Sequence, residues 1–220
     1  MTGVQTCALP ILFVDHHTQV RDFTDEAQRV GVYDAEVRAL IKKHTGAADV
    51  VVFDHTLRVS DEQMQQSINA RPTVKGVHND YTETSAPRRL REIVGDAEAE
   101  RRFKKRWAIV QVWRPIRGAV MMDPLGICDG RSIPQQGFIR VQRRYRDRTG
   151  EVYHISHNPA HVWFHFPRME RHEALVFKVF DSDASKPSRF TAHSAFDDPA
   201  SPPDAPSRES IETRTFAFFD

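Results

Sequence analysis

From Trp107 onward the chain is a succession of short runs that read as strands. "WAIVQVWRP", "GFIRVQRRY", "EVYHISH", "HVWFHFP", "EALVFKVFD", "FTAHSAF" and "SIETRTFAFF" are rich in β-branched and aromatic residues. Gly, Pro, Asp and Asn separate them, which is the punctuation of turns. Seven short strands at regular spacing argue for a sandwich or a jelly-roll barrel. "RDRTGE" (146–151) reads as a hairpin loop in which Gly150 is free to take positive φ. The Pro-rich "DDPASPPDAPS" (197–207) is too poor in apolar residues to be core and reads as a long loop before the last strand.

The first half of the chain is mixed. "DAEVRALIKKHTGA" predicts a helix with Asp34 as its N-cap, Val37, Leu40 and Ile41 on one face, basic residues in the last turn and Gly46 just past the end. "DVVVFDHTLRV" predicts a strand, and "SDEQMQQSINA" a short helix or a loop. Ser85 is placed to cap a charged helical segment that breaks at Gly95. The basic run Arg101, Arg102, Lys104, Lys105, Arg106 has acids just upstream and reads as a solvated helix face.

Composition narrows the function classes. The 220 residues carry 31 basic and 30 acidic side chains, a net charge of +1, so nothing electrostatic points to nucleic acid or an anionic membrane as partner. No apolar run approaches the length of a membrane span. Two cysteines, Cys7 and Cys128, give no disulfide framework, and a reducing cytoplasm is the expected compartment. Cys128 reads as a buried small hydrophobe rather than a nucleophile. "MTGVQTCALPI" matches, residue for residue, the translation of a common sequencing-adapter string read from a GTG start. Residues 1–11 are therefore expected to be an artefact, and 12–220 a single domain that lacks its natural N-terminus.

The chemistry-bearing motif is "VHNDYT". On a strand, residues two apart share a face, so His78 and Asp80 can look the same way. The triplet alone is weak: 11 histidines and 30 acids in this chain supply about 1.5 such matches by chance. Within a jelly roll it gains meaning, because two His and one carboxylate on one face of an iron leave positions open for reaction, the arrangement of non-haem Fe(II) oxygenases. The second His should come from a late strand, followed by an Arg whose planar fork binds the far carboxylate of 2-oxoglutarate. His193 and Arg208 fit that order. His154 with Arg168 and His161 with Arg171 have similar spacing but come too early. Arg214, on the same strand and at the same two-residue period as Arg208, is the fallback anchor. His154, His161 and His165 are expected to be hydrogen-bonded core residues.

Eight segments in order extend the argument: "VVVFDHTLR", "VHNDYT", "VWRP", "DPLGICD", "HVWFHFPRM", "EALVFKVFDSD", "AHSAFDDP" and "RESIETR". Together they resemble the signature segments of the CmcJ-like/NvfI-like oxidoreductases, hydroxylases and desaturases of the AsaB and gibberellin-desaturase type. The resemblance runs from about Leu12 to the last residues. It implies a mainly β protein with flanking helices, a double-stranded β-helix (jelly roll), N-terminally truncated because a family chain begins some tens of residues before Leu12. It implies His78, Asp80 and His193 as Fe(II) ligands, with Arg208 and the neighbouring Arg214 for 2-oxoglutarate. The family usually has an aromatic where this chain has His165, which with Trp163 would form a substrate wall. Trp113 and Arg114 are weaker candidates for shaping the pocket, against a structural reading with Arg114 in a salt bridge. The implied activity is hydroxylation or desaturation of a small organic molecule of secondary metabolism. The alternatives are a cupin-like metal-dependent isomerase or hydrolase, and a barrel that only binds.

Overall fold

The computed structural model describes residues 11–144, 149–186 and 188–220. Among the described residues, twelve strands form two six-stranded sheets. The first contains β1 (Ile11–Asp15), β2 (Asp49–Val59), β3 (Arg71–Pro72), β5 (Trp107–Pro115), β10 (Glu173–Asp181) and β12 (Glu209–Phe218), in the order β1-β10-β5-β12-β2-β3. The second contains β4 (His78–Asn79), β6 (Leu125–Cys128), β7 (Phe138–Arg144), β8 (Thr149–Ile155), β9 (Trp163–His165) and β11 (His193–Ala195), in the order β7-β8-β4-β11-β6-β9. All pairings are antiparallel except β2 with β3. The molecule is thus mainly β, with five α-helical segments: α1 (Glu26–Gln28), α2 (Asp34–Thr45), α3 (Glu62–Ser67), α4 (Ser85–Val94) and α5 (Asp96–Arg102).

The first sheet is buried on both faces, and its strands show why. Along β5, Trp107, Ile109 and Trp113 enter a core shared with Leu125, Ile127 and Tyr153 of the second sheet. The intervening Ala108, Val110 and Val112 enter a second core with Val37, Leu40 and Ile41 of α2. Strand β10 divides likewise, Leu175 and Phe177 inward and Ala174 and Val176 towards α2. This period of two is the geometry of the pleat. Each such aliphatic side chain taken fully out of water contributes about 1.5–3 kcal/mol. The same alternation on β12 turns Phe216 and Phe218 inward. At even positions of the same strand stand Ser210, Glu212 and Arg214, with Arg208 just before it. That places the polar residues of β12 in the space between the sheets.

Several sequence expectations are met. Helix α2 ends at Gly46, which sits in the left-handed region at φ 72°, and α4 and α5 are separated by Gly95. Cys128 is fully buried. Others need correction. Asp34 is not an N-cap: one turn of α1 capped by Asp25, and a wide π turn over Arg29–Tyr33, run straight into α2. Asp34 instead accepts a hydrogen bond from His55 at 2.8 Å, a partner no local pattern announces. Ser85 does not cap α4; its hydroxyl donates to the Glu151 carbonyl at 2.7 Å. Strands β7 and β8 pair antiparallel, and residues 145–148 between them in sequence lie outside the described ones. Gly150 pairs with Arg143 within β8, at no positive φ. Strand β6 was not anticipated at all. Of the segment expected to be an artefact, residues 1–10 lie outside the described ones, and Ile11 is the first residue of β1, paired with Phe177. Among the described residues, no helix is long and apolar enough to cross a membrane.

Candidate functional site

Two strands of the second sheet bring the candidate ligands together. His193 of β11 is directly opposite His78 of β4, their ring centroids 4.6 Å apart. Asp80 follows one residue after β4 and returns to the same face. One ligand atom from each of His78, Asp80 and His193 falls within 4.8 Å of the others, the one such cluster among the described residues. Both histidines are buried, at 5% exposure.

The ring orientations are set by the backbone. Nδ1 of His78 faces the Gly76 carbonyl at 2.8 Å, and Nδ1 of His193 faces the Thr191 carbonyl at 3.0 Å. A carbonyl only accepts, so each Nδ1 carries the proton and each Nε2 keeps its lone pair for the centre of the cluster. This is the tautomer and outer-shell support that a metal-binding imidazole requires. Burial, reinforced by the neighbouring His78, lowers the His193 pKa to about 4. The ring is therefore neutral at physiological pH, as a ligand must be.

Asp80 is clamped on one side only. Its Oδ2 accepts from Arg214 Nε at 3.1 Å and from the Gln111 amide, while Oδ1 lies 3.5 Å from His78 Nε2. Burial pushes the Asp80 carboxyl upward, but the Arg214 guanidinium beside it outweighs this and holds the group well below the usual carboxylate range. Arg214 also bonds Asp54 at 2.5 Å and Glu212. Its own pKa is lowered by burial but raised further by these three carboxylates, so it stays charged. Two histidine nitrogens and Oδ1 of a carboxylate whose other oxygen is already engaged form a donor set that fits Fe(II).

Arg208 lies beside this cluster. A small cavity is lined by His78, His193, Arg208, Trp113 and Glu212, among others. The guanidinium is 3% exposed and lies 5.5 Å from the centre of the Trp113 ring. It donates to the Asp123 carbonyl, forms no ion pair with a carboxylate of the described residues, and leaves its Nε without a partner. Burial depresses its pKa to about 10 despite Asp123. A buried cation left short of hydrogen bonds is costly unless an anion meets it. The distal carboxylate of 2-oxoglutarate would do so.

The remaining candidates divide. Trp113 lines the small cavity, whereas Arg114, one residue on, points to the opposite face of β5. There it bonds the His16 carbonyl at 2.8 Å and lies against Tyr33. Trp163 and His165 line a larger, mainly apolar cavity of about 630 Å³ together with Phe164, Phe196, Ser194 and Ala195. Ser194 and Ala195 line both this cavity and the small one. His154 and His165 are exposed and His161 half-buried, so none is the core residue expected; His161 and His165 stand at the cavity wall, and His154 lies in β8 opposite His78. Gln111 was missed. Its signal was a glutamine amid the apolar residues of "WAIVQVW", where a buried amide has to find a partner.

The model of a family described as an oxidoreductase/YMDC permease-like domain matches residues 10–218. The α-ketoglutarate-dependent dioxygenase phiK of a fungal species is 31% identical over 93% of this chain and 75% of its own length. The hydroxylase/desaturase CTB9 of Cercospora beticola is 34% identical over 94% and 70%. The Fe(II)/2-oxoglutarate-dependent dioxygenase nvfI of Aspergillus novofumigatus is 34% identical over 88% and 69%. The solved structure of the iron and α-ketoglutarate-dependent endoperoxidase NvfI superposes with a TM-score of 0.86 at 29% identity, covering 96% of this chain and 79% of that one.

Proposed function

The chain belongs to the Fe(II)/2-oxoglutarate-dependent hydroxylase/desaturase family, and from that premise we propose that it oxidises a small organic substrate of secondary metabolism on a jelly-roll scaffold. Nε2 of His78 and of His193 and Oδ1 of Asp80 hold Fe(II). Arg208 grips the far carboxylate of 2-oxoglutarate, with Trp113 packed beside its guanidinium. Arg214, the alternative anchor, is fully engaged by Asp80, Asp54 and Glu212. Its part is to fix the orientation of Asp80, helped by Gln111. When bound, iron with 2-oxoglutarate and dioxygen supplies the oxidising power that removes hydrogen from an unactivated C–H bond, with release of succinate and CO₂. The protein orients the reactants, keeps His193 neutral and excludes water from a centre lined by Phe177 and Leu125. The substrate body is held in the apolar cavity against Trp163 and His165. The paucity of cysteines is the ground for placing the enzyme in the cytoplasm.

The observation that carries this reading is the buried Arg208, short of partners, in one cavity with two of the three candidate ligands. The test is anaerobic addition of Fe(II) and then 2-oxoglutarate, followed by the weak visible charge-transfer band of the chelate. The band is expected to form, to vanish in His193→Ala, and in Arg208→Ala to need about 10–100-fold more 2-oxoglutarate, the worth of a charged hydrogen-bond pair. Bound iron that gives no band would replace the oxygenase with a metal-dependent isomerase or hydrolase.

A further inference from the structure

A second opening, with a lining quite unlike the apolar cavity, also reaches His78 and Asp80. It is a narrow cleft of about 100 Å³ whose lining includes Arg58, Arg71, Arg88, Arg89, Arg143 and Arg214. These side chains come from β2, β3, α4, β7 and β12, so no single helix face accounts for their convergence. The acids along the cleft are already engaged. Asp54 and Asp80 bond Arg214, Glu92 bonds Arg89 at 2.9 Å, and Glu151 accepts from Thr82. Arg58 is held by Glu212 at 2.9 Å. Arg71, Arg88 and Arg143 form no ion pair with a carboxylate of the described residues. The solvated face of α5 is different, because there Arg101 and Arg102 both bond Glu98. Phe53, Tyr81 and Val152 supply apolar wall between the arginines.

We propose that this cleft docks a carboxylate carried by the organic substrate, with Arg71, Arg88 and Arg143 as its receptors, so that the natural substrate is an amphiphilic acid. This rests on the metal centre proposed above. Three guanidiniums with no carboxylate partner among the described residues line one narrow cleft, and their planar forks suit a carboxylate. The volume admits an end group and no more, which leaves the rest of the molecule on the apolar wall. His78 and Asp80, two of the metal ligands, line the same cleft, so a carboxylate seated there sets which carbon of an attached chain faces the metal.

The same chemistry could instead serve 2-oxoglutarate on its way in, and the experiment separates the two. Protein loaded with Mn(II) and saturated with 2-oxoglutarate, which fills the Arg208 site, is titrated with octanoate or with methyl octanoate. Paramagnetic broadening of the probe's α-CH₂ protons reports approach to the metal. The acid is expected to be broadened at concentrations about tenfold or more below those of the ester, as a charged hydrogen-bond pair implies. That preference should disappear in Arg88→Gln/Arg143→Gln and fall in Arg71→Ala, an exposed position that leaves the core untouched. Equal broadening by acid and ester, or an acid preference that survives in the variants, overturns the proposal. A parallel loss of 2-oxoglutarate affinity in the variants, read from water-proton relaxation of the Mn(II) protein, also overturns it and makes the cleft an entry funnel. If 2-oxoglutarate leaves water relaxation of the wild-type protein unchanged, it is the metal-centre reading itself that fails.

Discussion

Removing the guanidinium of Arg214 tests the central electrostatic claim. Asp80, Glu212 and Asp54 converge on this one cation, with side-chain exposures of 10%, 6% and 36%. Arg214→Met keeps much of the side-chain volume and leaves Asp80 buried with no guanidinium, beside a Glu212 that keeps only Arg58. Breaking a buried ion pair by deleting one partner costs about 3–5 kcal/mol. Asp54, a third exposed, adds little to that because water screens it. For a chain of this length about 1 kcal/mol moves Tm by ~2–4 °C, so Tm should fall by ~6–20 °C. Urea denaturation and calorimetry of the metal-free protein are the assays. Adding Glu212→Gln should restore part of the loss, a coupling of about 0.5–3 kcal/mol. A single variant within about 1 kcal/mol of wild type would mean that the carboxylates find other partners or protons. The assignment of Arg214 as the residue that orients Asp80 would then be lost.

Two further effects are expected. Asp181 is fully buried and bonded to Arg106 at 2.8 Å and Lys178 at 2.7 Å; burial raises its pKa, but these bonds lower it more. The unfolded chain therefore takes up the proton first, and stability present above about pH 3.9 is lost as pH falls through the lower folded value. Asp181→Asn should reduce stability at neutral pH and flatten this acid limb in a pH series of denaturation midpoints; an unchanged limb would refute it. Gly46→Ala should cost about 1 kcal/mol by urea denaturation. No atom would contact the new Cβ, so the loss comes from the backbone at φ 72° alone, and a neutral result would mean that the helix end relaxes.

The sequence was most legible where one rule acted alone. The pleat's period of two put Arg208 and Arg214 on one face at the last strand, and strand order singled out His193 over His154 and His161. It was least legible where a distant partner decided the local form. Strand β6 hid in "DPLGICDG", where Pro124, Gly126 and Gly130 read as turns. Gly126 in fact sits mid-strand because the Phe196 ring comes within 3.3 Å of where a Cβ would be, a close approach that only glycine allows without repacking. Asp34 has every mark of a helix cap, yet His55, 21 residues on, determines its place. The hydrogen bond from Gln111 to Asp80 spans 31 residues, and nothing short of the folded sheet reveals that pairing.

The position of β12 has a consequence for how the chain is made. It is the last of the twelve strands to be synthesised, yet it lies in the middle of the first sheet, hydrogen-bonded to β5 on one side and β2 on the other. Without it, that order leaves β1-β10-β5 and β2-β3 with no pairing between them, each with an open edge of the kind that can recruit a strand from another chain. The residues that order Asp80 and meet the co-substrate arrive with it. A nascent chain stalled before Arg208 would hold both histidines and the aspartate but lack the keystone, so assembly of the centre and closure of the sheet are a single event.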